Sequence, residues 1–323
     1  MKVLILGATG HVGSRLHTHL QNANMTSIAA SRGRMRNNMD NHVILDSMNL
    51  SALTKQLQSV DAVVNCVAGD KNSIGTGAQI LTQAALAAGK PTIVHLSTMS
   101  VYGASEGVIT EDSPFDPSYN WYAAAKCEAE AHMQAYAKAG GKVVTFRPGC
   151  IHGPGSVQWV ERIANLLKTF RLGDLGSAGD GWSNLVHVDD VVKAIHLGLE
   201  LSLNAGEVQS FNLAAPDSPR WNQYFTDLAQ AINATPIKRI HPLQLKLDSK
   251  AFSPVVKISQ KLLSKAKQGH LASQLPEPLP PSLVRLFKQH IFLDAQKISA
   301  NFSFMTYEQS LLSSVEWLKN EQR

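Results

Sequence analysis

The sequence of 323 residues is poor in cysteine, in aromatic residues and in long apolar runs. Its three cysteines, Cys66, Cys127 and Cys150, have spacings that match neither a metal cluster nor a disulfide framework. That absence points to a reducing compartment, and so to the cytoplasm. Apolar runs such as Val3-Leu4-Ile5-Leu6 are strand-sized, well short of the roughly 20 residues that a membrane span requires. The opening segment is interrupted by Gly7 too soon to read as a secretory signal. Repeats and low-complexity tracts are lacking too. With 44% hydrophobic and 17% charged residues, there is ample material for a core, which excludes a disordered chain. The length suits one large domain or two intimate ones.

Charge is unevenly spread. Between residues 238 and 288, ten basic side chains face only Asp248 and Glu277, a balance of +8 that leaves −3 for the rest of a chain of net +5. A basic segment on a mildly acidic body is not the pattern of a nucleic-acid binder.

In the N-terminal part, strand-like runs at residues 2–6, 26–30, 42–45, 61–66, 92–96 and 142–146 alternate with helical stretches at 11–21, 51–58, 79–88 and 120–139. That rhythm predicts an α/β fold, a doubly wound parallel sheet with helices on both faces. After Pro148 the rhythm changes. Glycine and proline punctuate 149–155 and 173–181, and helical patterns fall at 158–170, 189–201 and 221–232. We therefore expect a dinucleotide-type domain at 1–148 and a smaller, mainly substrate-binding domain at 149–323, with some segments returning to the first.

Gly7-Ala8-Thr9-Gly10-His11-Val12-Gly13 joins the first strand to the first helix. Gly7 permits the tight turn, Gly10 the close approach of backbone to a pyrophosphate, and Gly13 the packing of helix on strand. The helix N-terminus supplies free N–H groups and a positive dipole end. At the end of the second strand, an acid would accept a ribose 2′-hydroxyl, whereas an arginine accepts a 2′-phosphate. The chain reads Ala30-Ser31-Arg32-Gly33-Arg34, then Arg36, without a carboxylate. Ser31 and Arg32 thus favour NADP over NAD, the other reading being a solvated basic loop.

Tyr122-Ala123-Ala124-Ala125-Lys126 places a phenol and an ammonium on one helical face. Such a pair lowers the phenol pKa and makes a proton donor and acceptor. Alone, the spacing says little. Combined with the glycine loop, it resembles the extended short-chain dehydrogenase/reductase family, the group related to NAD-dependent epimerases and dehydratases. Further matches are Asp46, Ala68-Gly69, the run His95-Leu96-Ser97-Thr98-Met99-Ser100-Val101-Tyr102-Gly103, Glu130, Arg147-Pro148-Gly149 and His187-Val188-Asp189-Asp190. The resemblance implies a Rossmann-type fold in which Tyr122 exchanges a proton with the substrate oxygen as hydride moves. Lys126 would hold the nicotinamide ribose, and Thr98 would bond the substrate oxygen, with Ser97 and Ser100 as rival hydroxyls. Asp46 would meet the adenine, Ala68-Gly69 would line the cofactor groove, and Pro148 would border the nicotinamide. A homodimer through the 120–139 helix is a further implication.

Three departures narrow the chemistry. Dehydratases of this family carry an acid pair after the catalytic threonine, where this chain has Met99 and Ser100, which cannot serve as that acid and base. Epimerases often clamp the diphosphate with an arginine where this chain has Ser183; Arg162, Lys168, Arg171 or Arg220 would have to replace it. Arg32 favours exchangeable NADPH over a retained NAD. Met99, Cys150, Ile151, Trp159 and Trp182 are pocket or core candidates. Cys150 has no base nearby in sequence, and His152, His187 and His196 lack a metal-ligand spacing, so no metal is expected. Tyr102 reads as packing and His187 as a structural hydrogen-bonding residue.

These features point to an NADP(H)-dependent enzyme interconverting a carbonyl and an alcohol on a small molecule. A sugar-nucleotide epimerase and a non-catalytic NADP-binding protein are the alternatives. In the basic segment, 254–267 reads as an amphipathic helix. Val255, Ile258, Leu262, Leu263 and Ala266 gather on one side, while Lys257, Lys261 and Lys265 form a stripe on another. The expected role is packing of the apolar side on the substrate domain. A lid over an anionic substrate or a contact with an anionic membrane surface is the other reading.

Overall fold

In the computed structural model, the described residues are 1–33, 41–265, 270 and 275–321. Arg34 and Arg36 of the basic loop, Ala266 and Lys267 of the basic helix, and the side chain of Lys265 lie outside them.

The main sheet contains β1 (Lys2–Leu6), β2 (Thr26–Ser31), β3 (His42–Ile44), β4 (Ala62–Asn65), β5 (Thr92–Leu96), β7 (Val143–Pro148) and β10 (Val208–Leu213). All pairings are parallel, in the order β10-β7-β5-β4-β1-β2-β3. Their residues are mostly apolar without alternation, as expected of strands covered on both faces. On one face pack α1 (His11–Asn22) and α6 (Val188–Glu200), through Leu16, Leu20, Val191 and Ile195. On the other lie α2 (Leu50–Leu57), α3 (Lys71–Ala87) and α4 (Trp121–Lys138), through Leu53, Leu81, Met133 and Tyr136. The strand order reverses between β1 and β4, where Leu6 pairs with Asn65. Ligands of open α/β sheets sit beyond the strand ends at such a point.

Helix α3 starts eight residues before its expected start at 79. Asp70 caps it by accepting from the Ser73 N–H at 2.8 Å. Gly75 and Gly77 hid this helix from propensity reasoning. A Cβ at Gly75 would meet the exposed Glu128 carboxylate of α4 at 2.7 Å, which that side chain can relieve by turning away. The last helix of the chain is Tyr307–Glu321.

Beyond the sheet, β8 (Cys150–His152) pairs with β9 (Leu185–His187), and β6 (Gly107–Ile109) with β11 (Ile291–Leu293). They border a second core with α5 (Arg162–Lys168), α7 (Trp221–Ala231) and helix Pro281–Lys288. Phe287 meets Trp221 at 4.8 Å and Phe225 at 5.0 Å between ring centroids. Strand β10 carries chain from beyond residue 149 back into the main sheet.

The basic segment departs most from expectation. It forms α8 (Pro242–Leu247), a π-helical turn at Asp248–Phe252, and α9 (Ser253–Lys265). Ser253 and Val256 face inward, while Val255, Ile258 and Leu262 are 61%, 61% and 62% exposed. The apolar side expected to pack therefore faces water. The inward face is held by the buried Leu245 and Val256 and by polar contacts: the Leu279 N–H donates to Ser253 Oγ at 2.7 Å, and Ser253 Oγ donates to Asp248 at 3.0 Å.

Candidate active site

A cleft of about 2090 Å³ runs from the N-terminus of α1, across the ends of β4, β5 and β7, to helix Pro281–Lys288. At its floor the glycine loop meets the sheet. Gly7 has φ +77°, and a Cβ on it would lie 2.8 Å from the Cys66 carbonyl oxygen; a Cβ on Gly13 would collide with the Gly7 carbonyl. Gly10 stands at the N-cap of α1 without a side-chain cap, so the first amides of that helix remain available to an anion. Thr9, Gly10, His11, Val12 and Gly13 line the cleft together with Ala68, Gly69, Lys126 and Pro148. This donor set and the glycine cradle fit the pyrophosphate and nicotinamide parts of a dinucleotide.

Four expected cofactor residues do not line this cleft. Gly7 supports it from below. Ser31 ends β2, Arg32 follows it, and Asp46 lies two residues after β3. Ser31 Oγ is engaged, 2.6 Å from the Gly33 carbonyl and 2.7 Å from His42 Nε2. Asp46 accepts from the Met48 N–H at 3.0 Å. Arg32 is exposed, and its charge helps hold Asp70 below the usual carboxylate range, after the larger influence of the Ser73 amide and hydroxyl.

Thr98, Tyr122 and Lys126 converge in the cleft. Asn120 caps α4 by accepting from the N–H groups of Tyr122 and Ala123, each at 2.9 Å, which fixes Tyr122 in the first turn. Burial raises the phenol pKa, and the Thr98 hydroxyl bonded to it works in the opposite direction. The phenol is therefore protonated at neutral pH. Lys126 stands one turn further along α4. Its ammonium is buried and donates to the Leu96 carbonyl at 2.7 Å. Burial brings its pKa down to about 8, against the pull of Cys66 and Glu130.

The rival hydroxyls separate cleanly. Ser97 Oγ donates to Glu130 at 2.6 Å, within a buried network. There, Arg147 pairs with Glu130 at 2.7 Å and donates to Tyr102 Oη at 3.0 Å, while Tyr102 donates to Asn212 at 2.7 Å. Ser100 Oγ accepts from Thr98 at 3.3 Å, so Thr98 stands between it and the phenol. Tyr102 is packing, as expected, and its pKa is pushed up to about 12 by burial.

Met99, Cys150, Ile151 and Trp159 reach the cleft, whereas Trp182 packs on Phe292 and under Arg220. Burial holds the Cys150 thiol well above its usual pKa, so it is no nucleophile. His187 caps α6 by accepting from the Asp189 N–H at 3.2 Å, a structural role. Among the described residues, no group of side chains is arranged to hold a metal ion.

Ser183 is fully buried, bonded to Ser218 at 2.9 Å and to the Pro219 carbonyl, and cannot reach a diphosphate. Its proposed replacements are engaged elsewhere or outside the cleft. Arg171 pairs with Asp248 at 2.6 Å and Arg162 with Glu277 at 3.3 Å; Arg220 donates to the Asp180 carbonyl, and Lys168 is exposed away from the cleft. The cation at the substrate end is Arg285, over the Tyr119 ring at 5.6 Å, beside Leu283, Leu286 and Trp317. Sequence reasoning missed it, because these residues lie more than 150 positions from Tyr122 and carry no local motif.

The model of the NAD dependent epimerase/dehydratase family matches residues 3–214. Protein YeeZ of Escherichia coli (strain K12) is 27% identical over 210 residues, spanning 61% of this chain and 67% of that protein. The 2-alkyl-3-oxoalkanoate reductase of Stenotrophomonas maltophilia (strain K279a) is 28% identical over 231 residues, spanning 62% of this chain and 66% of that one. The crystal structure of UDP-glucose 4-epimerase from Thermotoga maritima, with UDP-glucose, superposes with a TM-score of 0.76 at 18% identity over all of both chains.

Proposed function

The chain belongs to the NAD dependent epimerase/dehydratase family, and from that premise we propose that it is an NADPH-dependent reductase of a ketone set between an apolar chain and an anionic group. The observation that carries this reading is the convergence of Thr98, Tyr122 and Lys126 in one cleft, with no carboxylate at positions 99 and 100. A protonated phenol is prepared to donate. It suits reduction, in which the carbonyl oxygen must gain a proton.

The nicotinamide dinucleotide supplies the hydride. Thr9, Gly10, His11, Val12 and Gly13 would hold its pyrophosphate through the α1 amides, Ala68, Gly69 and Pro148 would flank it, and Lys126 would meet the ribose. Arg32 and Ser31, without an acid nearby on β2, favour a 2′-phosphate there. Thr98 orients the ketone oxygen, and Tyr122 protonates it. Arg285 meets the anionic group of the substrate. Met99, Trp159, Leu283, Leu286 and Trp317 receive the apolar chain and exclude water. The 2-alkyl-3-oxoalkanoate named for one relative has this chemistry, a ketone beside a carboxylate with alkyl chains.

Sugar-nucleotide epimerisation is the second reading, favoured by the cation Arg285 at the substrate end. The buried Ser183 weighs against it. The test is the thermal midpoint with NADPH and with NADH, followed by NADPH oxidation with alkyl-substituted 3-oxo acids and with UDP-hexoses. We expect the larger shift with NADPH and net oxidation with the oxo acids. A larger shift with NADH, and turnover of UDP-hexose without net oxidation, would sink the proposal. We also expect the protein to be soluble in the cytoplasm and to dimerise through α4, to be checked by fractionation and by sedimentation.

A further inference from the structure

The outer face of α8 and α9 carries two strips of exposed apolar side chains. Leu243, Leu247 and Phe252 are 63%, 67% and 46% exposed, and Val255, Ile258 and Leu262 follow. They are not loosely held, and the Arg171 guanidinium lies over the Phe252 ring at 4.7 Å. The opposite face of the same helical run is anchored by Leu245, Ser249, Ser253 and Val256, each at most 5% exposed. The π-helical turn between the two helices inserts one residue. That addition rotates the second strip by about 100°, close to the line of the first. The result is one apolar stripe along one side of the run.

Lys246, Lys250, Lys257 and Lys261 are exposed beside this stripe. The only carboxylate between residues 241 and 265 is Asp248. It is taken up by Arg171, whose guanidinium bonds its two oxygens at 2.6 and 2.8 Å. The face therefore presents apolar side chains and cations without a competing anion. Lysine beside exposed leucine, isoleucine and phenylalanine on a helix lying along a surface is the chemistry of an anionic lipid interface. No helix among the described residues is long and apolar enough to cross a membrane, so the contact is superficial. A second copy of the chain fits less well, because it would set two lysine-rich faces against each other.

We propose that α8 and α9 form a docking surface for an anionic phospholipid bilayer. The run also lies next to the mouth of the cleft. Ser253 accepts from the Leu279 amide, and Arg171 donates to the Glu277 carbonyl at 2.5 Å, three to six residues before Ser282 and Leu283 of the cleft wall. Docking would bring the cleft mouth to the lipid, a suitable position for an apolar substrate. The docking itself is independent of which reaction the cleft performs.

The experiment is flotation of the full-length protein with vesicles of phosphatidylcholine alone or mixed with phosphatidylglycerol. Lys257→Gln/Lys261→Gln and Ile258→Ser/Leu262→Ser are compared with wild type. All four side chains are exposed, so the thermal midpoint should not fall in either variant. We expect flotation with the anionic vesicles only, reversed by high salt. The lysine pair should weaken it by roughly 25-fold, since each cation near an anionic surface contributes about fivefold. The Ile/Leu pair should abolish it. Equal binding to neutral vesicles, no flotation at all, or a wild-type dimer in sedimentation that Ile258→Ser/Leu262→Ser dissociates would each overturn the proposal.

Discussion

The two ends of the cleft are built in different ways. The end proposed for the pyrophosphate is main chain: amides of α1, the Gly7 and Cys66 carbonyls, and glycines without which backbone segments would collide. The substrate end is side chains, with Met99, Trp159, Arg285 and Trp317 drawn from distant parts of the sequence. A main-chain site needs a short, contiguous pattern of small residues. A side-chain site needs only that remote positions arrive together, and many sequences achieve that. The difference explains why one fold can hold the same cofactor and serve many substrates.

The comparison is tested most strongly where the two ends meet. Tyr122→Phe removes the proton donor but not the cradle. Activity should fall by about 10²–10⁴-fold, while the NADPH-induced shift in thermal midpoint is retained. Loss of that shift would mean that the ends are not separable. Next comes the network beneath both ends. Glu130→Ala leaves Arg147 buried without its carboxylate, and chemical denaturation should show a loss of about 3–5 kcal/mol. A loss below about 1 kcal/mol would show that the pair is not a structural tie.

A smaller effect is expected at the substrate end alone. Arg285→Ala should raise KM for an anionic ketone by roughly 10- to 100-fold, the weight of a charge-assisted contact of about 1.5–3 kcal/mol. Its effect on NADPH binding should be slight. An unchanged KM would remove Arg285 from the site. The smallest effect is in acid. Burial pushes the His152 imidazole down to about 3. The unfolded chain binds this proton near 6.5, so the stability contribution is complete above that pH. It is lost as pH falls toward 3, at about 1.4 kcal/mol per pH unit. Denaturation in steps from pH 7 to 5 should show the slope in wild type and a flatter one in His152→Asn.

Legibility in the sequence follows the same division. Strands β1 and β5, the glycine loop and helix α4 stand where the pattern placed them, because each is encoded by a local period. Helix α3 was only half visible: Gly75 and Gly77 lower the propensity of its first half. Arg285 was invisible, because nothing near it in sequence marks it as part of a cleft. The basic helix was misread for another reason. Periodicity shows that a helix has an apolar side, but not that this side is turned toward the core. The tie from Ser253 to Leu279 and the buried Leu245 and Val256 occupy the inward side, which leaves the larger apolar side outward.

The most direct measurement is the stoichiometry of NADPH consumed to alcohol formed with an alkyl-substituted 3-oxo acid, in wild type and in Tyr122→Phe. The account predicts one alcohol per NADPH in wild type and almost none in the variant. Alcohol formation undiminished in Tyr122→Phe, or UDP-hexose epimerised while NADPH stays intact, would contradict it.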